Sequence, residues 1–216
     1  MSSENPLSTR LQYIQQQGML NDQDMFNRYQ QKKDEFAKHA DISLIGHSLF
    51  DMWSGIADYP PFAPEKIVAN LGISGISAYQ YLDIIINRHL ITRLGKTVFI
   101  FLGVNDILKE IDYSPQQVAG WISQIFTKLR EISPHSDYFL LEATPVLNQQ
   151  KIHSAQIREL NAYLKAHCPT GLGFIDTYRA FSDPHQDLQA TLTTDGVHFT
   201  AAGYALLTRL LTPCLR

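Results

Sequence analysis

The sequence has little cysteine, no long apolar run and no excess of basic residues, and each absence narrows what the chain can be. Only two cysteines, Cys168 and Cys214, occur in 216 residues, far apart. That leaves no disulfide framework and no paired-cysteine motif. Such usage suits a reducing compartment, and a cytoplasmic protein is expected. The longest stretch of apolar residues and glycine, 98–104, is far too short to span a bilayer. The opening residues, MSSENPLSTRLQ, carry no apolar signal core. Lysine and arginine number 18 against 21 acidic residues, for a net charge of -3. With neither a basic excess nor a basic stripe, nucleic acid and anionic membrane surfaces are disfavoured as partners.

What is present is ordinary globular material. Hydrophobic residues make up 44% of the chain, enough at this length to bury a core without a disulfide or metal staple. One domain, or at most two small ones, is expected. Residues 1–22 are polar and glutamine-rich, and read as a frayed arm or surface helix. Tyr13, Ile14, Met19 and Leu20 leave open that this arm docks on a partner. Residues 22–38 are charged and helix-prone, with Met25, Phe26, Tyr29 and Phe36 as candidates for a buried face.

From there the chain alternates. Short apolar runs at 42–46, 67–71, 98–103, 138–142 and 174–176 suit strands buried on both faces, as in a parallel sheet. Helical patterns at about 77–90, 115–132, 150–167 and 201–211 lie among them. Ser114 followed by Pro115 looks like a helix start. The alternation predicts a three-layer α/β domain over residues 23–216, with no linker to divide it.

In an open parallel sheet, ligands sit beyond the carboxyl ends of the strands. The first such end reads Gly46-His47-Ser48-Leu49, where Ser48 is either an exposed hydroxyl at a helix start or a simple cap. The second has Gly72 and Gly75, which suit a tight turn or an N–H presented to an oxyanion. The third has Asn105-Asp106, a turn pair or a side-chain donor. Near the end, Asp195-Gly196-Val197-His198 is either a surface pair or a histidine oriented by a carboxylate. Each is ambiguous alone. Together they are the nucleophile, base, orienter and oxyanion donors that acyl transfer needs.

In that order these residues resemble the SGNH hydrolases, also called GDSL-type esterases and lipases. ISLIGHSLFDMW resembles the family's first block, NLGISG the second, FLGVNDI the third and DGVHFTAAGY the last. The likeness runs over about residues 22–212. It implies a flavodoxin-like fold with a five-stranded parallel sheet between helices, and hydrolysis of a small-molecule ester or thioester through an acyl-enzyme, without cofactor or metal. By position it implies Ser48 as nucleophile, His198 as base and Asp195 as its orienter. The Ser48 and Gly75 N–H groups and the Asn105 side chain would form the oxyanion hole. Two positions depart from the family. His47 stands where an Asp is usual, as a structural residue or a substrate contact, and Ile76 stands where an Asp often follows the glycine.

Two other classes are weighed. One is a non-catalytic binding or structural module on the same fold, favoured only by His47. The other is a metal-assisted hydrolase using Asp183, His185, Asp195 and His198, whose spacing fits no strong metal motif. Phe50, Trp53, Tyr59, Tyr79 and Tyr81 are candidates for either a substrate pocket or the core. A short acyl group, such as acetyl on a carbohydrate, is the expected substrate. The oligomeric state is not legible.

Overall fold

A computed structural model of the protein describes residues 6–55 and 62–215. Two helices lead in, α1 (Pro6–Gln16) and α2 (Asp22–Ala37), followed by β1 (Ile42–Gly46), a short α3 (Ser48–Asp51) and β2 (Val68–Asn70). Next come α4 (Ala78–Gln80), β3 (Thr97–Phe101), α5 (Asp106–Lys109), α6 (Pro115–Ile132) and β4 (Asp137–Leu141). The chain closes through α7 (Ser154–Ala166), β5 (Leu172–Ile175), α8 (Tyr178–Phe181) and α9 (Ala201–Leu211).

The five strands form one parallel sheet in the order β2-β1-β3-β4-β5. Strand side chains alternate between faces, and here both faces are covered. Val98 and Ile100 join Ile122, Ile125 and Ile157 of α6 and α7 in one core, whereas Phe99 and Phe101 join Phe50, Tyr204 and Leu207 in another. That double burial is why the strands read as unbroken apolar runs. It yields the expected three-layer, flavodoxin-like arrangement of helices around a parallel sheet.

Local signals account for most helix starts. Ser114 accepts the Gln117 N–H at 3.3 Å ahead of Pro115, and Asn21 and Asp24 form a reciprocal capping box on α2. On α2, Met25 and Phe36 are buried and Phe26 and Tyr29 pack beside them.

Two expectations differ in detail. The helix expected over 77–90 becomes α4 followed by a wide-turn segment, Tyr81–Ile86, and His89 takes a left-handed φ of 54° that stops it. The last strand starts at Leu172, earlier than expected. Gly173 hides its pattern, since a Cβ there would lie 2.6 Å from the ring of Phe139 on β4. Of the two readings of the arm, its described part takes the helical one: α1 is a regular helix, and Ile14 is fully buried.

Candidate active site

The carboxyl ends of β1, β3 and β4 open on a cavity of about 510 Å³, a size suited to a small ligand. His47, Ser48, Asn105, Thr144 and Val146 line it, together with the loop that precedes α7.

β1 ends at Gly46 because the chain turns sharply against its neighbour. A Cβ there would lie 2.8 Å from the Phe101 carbonyl and 2.8 Å from the Phe50 ring. The next residue, His47, occupies the cap position of α3, and its Nδ1 accepts the Leu49 N–H at 3.4 Å. The cap is supplied by His47, so the Ser48 hydroxyl is free to face His198, and His198 Nε2 lies 3.0 Å from Ser48 Oγ.

His198 is reached across 150 residues of sequence but held by its own turn. Asp195 Oδ2 lies 2.7 Å from His198 Nδ1. Asp195 Oδ1 accepts the N–H groups of Val197 and His198. Burial pushes the Asp195 carboxyl up, but the His198 side chain and these N–H groups outweigh it and hold the group below the usual carboxylate value. Gly196 has a φ of 88°, and a Cβ there would fall 2.0 Å from the Leu147 carbonyl. Only glycine closes this turn against the loop that lines the cavity.

Asn105 makes no capping bond to α5. Its Nδ2 donates to the Ile76 carbonyl at 2.9 Å, tying the third strand end to the Gly75 loop. Asp106 reinforces that tie by accepting the Ala78 and Tyr79 N–H groups at 2.8 and 3.2 Å. Burial pushes the Asp106 carboxyl up to about 7 against these two bonds, which favour its ionised form. Sequence reasoning passed over Asp106 as a turn former, although a carboxylate at a helix start was the available signal. Gly75 has a φ of 83° and sits in the same loop. It does not line the cavity, and Leu20 and Met25 cover its outer side.

His47 is almost wholly buried beside Phe101, and its Nε2 has no hydrogen-bond partner among the described residues. Burial, then the nearby His198, pushes its pKa down to about 3, so the ring is neutral. The aromatic candidates for the pocket do not line it. Phe50, Trp53 and Tyr81 are core residues, and Tyr79 lies under the Arg10 guanidinium at 4.5 Å. Tyr59 lies outside the described residues. Asp183 and His185 belong to a separate turn, where Asp183 accepts the His185 and Asp187 N–H groups. Among the described residues no three His, Cys, Asp or Glu side chains are placed to hold a metal ion. Nor is any helix there long and apolar enough to cross a membrane.

The profile of the GDSL-like lipase/acylhydrolase family matches residues 44–206. An N-acylneuraminate cytidylyltransferase of Escherichia coli is 34% identical over 189 residues, which are 86% of this chain and 42% of that protein. The chain therefore spans about two-fifths of this relative. A GDSL-like lipase of Bacteroides thetaiotaomicron superposes with a TM-score of 0.71 at 22% identity, over 88% of this chain and 98% of that one. An acetyl xylan esterase superposes with a TM-score of 0.61 at 16% identity, over 81% and 99%.

Proposed function

The chain belongs to the GDSL-like lipase/acylhydrolase family, and from that premise we propose that it hydrolyses a small acyl ester through an acyl-enzyme on Ser48. The observation that carries the reading is the unbroken line Ser48 Oγ, His198 Nε2, His198 Nδ1, Asp195 Oδ2, at 3.0 and 2.7 Å. With Asp195 ionised, Nδ1 carries the proton and Nε2 presents its lone pair to the serine. Ser48 Oγ attacks the acyl carbon as His198 takes its proton. The oxyanion is held by the Ser48 N–H and the Asn105 amide, and the family likeness adds as a third donor the Gly75 N–H, from the loop that Asn105 binds. Collapse breaks the bond to the leaving oxygen, and His198 returns the proton to that alcohol. Water then attacks acyl-Ser48 with His198 again as base, releasing the acid. His47 caps the nucleophile helix, a structural role that its burial supports.

A short acyl group on a carbohydrate suits the cavity best. Its rim carries Asn148, Gln149 and Gln150, which can meet hydroxyl groups. One structural neighbour is an acetyl xylan esterase. The Escherichia coli relative is named for an N-acylneuraminate, so acyl esters of such sugars belong in the substrate panel. The test is hydrolysis of p-nitrophenyl acetate by the protein beside Ser48→Ala, both shown folded by circular dichroism. A fall of about 10⁴-fold or more in the variant is expected. Equal rates would sink the mechanism, and a strong preference for the octanoate would overturn the short-acyl reading.

A further inference from the structure

The cavity has a wall that the family region does not supply. Residues 17–21 join α1 to α2, outside the matched stretch 44–206, yet Met19 lines the cavity beside the residues that carry the chemistry. The segment is fastened at both ends. Lys151 donates to the Gln17 carbonyl at 2.6 Å, and Lys109 donates to the Leu20 carbonyl at 2.8 Å. These two lysines directly neighbour Ile152 and Leu108, which line the same cavity. The grip therefore sets Met19 against its apolar flank.

The helix before the segment is anchored as firmly. Arg10 donates to both oxygens of Glu110, at 3.1 and 3.0 Å, and to Asp22 at 2.9 Å. Such a bidentate fork fixes orientation as well as charge. Gly18 takes a φ of 67°, which lets the chain leave α1 and turn toward the cavity. Leu20 packs over Gly75, where an added Cβ would lie 3.4 Å from its methyl.

We propose that residues 17–21 act as a specificity strap, in which Met19 sets the length of acyl chain that can lie beside Ser48. The proposal rests on the ester-hydrolase reading and deepens it. A thioether side chain is an adaptable apolar stop. Shortening it enlarges the cavity that Leu108 and Ile152 also line, and enlarging it fills that space. One methylene more or less in an apolar pocket is worth about 10–200-fold in selectivity.

The experiment compares kcat/KM for p-nitrophenyl acetate, butyrate and octanoate in the full chain, Met19→Ala and Met19→Trp. Met19 is only half-buried, so neither variant threatens the core, and melting curves check this. The octanoate-to-acetate ratio should rise about tenfold or more in Met19→Ala and fall in Met19→Trp. The same ratio in all three proteins would overturn the strap while leaving the esterase intact. Failure of the unaltered chain to hydrolyse any of the esters would overturn the ester-hydrolase reading, and the strap with it.

Discussion

The turn that carries His198 and the loops that carry Ser48 and Asn105 meet across 3.0 Å, yet they are held in opposite ways. The histidine turn is local and wet. Most of its side-chain bonds run within Thr193–His198: Thr193 Oγ1 accepts the Gly196 N–H and donates to the His198 carbonyl, and Asp195 takes two N–H groups and the imidazole. The cavity loop adds two more, from the Leu147 N–H to the Gly196 carbonyl and from Gln149 Nε2 to the Asp195 carbonyl. Asp195 is half exposed, at 53% of its side chain. The side that carries Ser48 and Asn105 is dry and stitched across elements. Asn105 reaches Ile76, Asp106 reaches α4, and the Asn70 side chain donates to the Phe50 carbonyl. Asp51 accepts from Ser74 and from Lys32. One side can therefore lose function without losing fold, and the other cannot.

Breaking the wet side is expected to have the largest effect on rate. Asp195→Asn keeps the size of the side chain but loses the charge that orders His198. Turnover should fall by up to about 10⁴-fold, while the melting temperature hardly moves, because exposed ion pairs contribute little. Pre-steady-state acylation and a melting curve read the two effects separately. Full activity in this variant would detach the turn from the chemistry.

On the dry side, Asn105→Ala should lower turnover by about 10²–10³-fold. It should also lower stability by about 1 kcal/mol, since the Ile76 carbonyl loses its donor. Kinetics together with urea denaturation check both. A rate loss with unchanged urea stability would show that the bond to Ile76 contributes nothing to the fold and would erase the contrast between the two sides.

His47→Asn is the smallest and sharpest probe. In the folded chain burial, then His198, hold His47 near 3, against an ordinary 6.5. Below about 6.5 the unfolded chain takes up a proton that the folded chain refuses until about 3. Stability is therefore lost as pH falls through that window. Asparagine does not titrate and can still cap α3, so the fall in melting temperature between about pH 6.5 and 4 should be shallower in the variant. Parallel curves would mean that the buried ring does not govern acid stability.

The same contrast explains what was legible. The strands announced themselves because they are buried on both faces, as the apolar run over Thr97–Phe101 illustrates. Asp195 and His198 were legible as a pair because three residues of sequence hold their whole geometry. Ser48 and Asn105 were ambiguous, since capping competes for the same side chains. The arm stayed open between a frayed segment and a surface helix because its few apolar residues, Ile14 and Met19 among them, have no periodic neighbours to mark a buried face. Its fastening comes from Glu110, Lys109 and Lys151, roughly a hundred residues or more away.

By itself the sequence determined the layer architecture, the family and the residues that stand at the strand ends, because periodicity and short-range turn chemistry are local properties. Only the tertiary structure decided that His47 and not Ser48 caps α3. It also decided that Asn105 bonds the Gly75 loop and that Met19 lines the cavity. Each of these depends on which of several competing hydrogen bonds or contacts survives when distant segments pack, and that competition is resolved only in three dimensions.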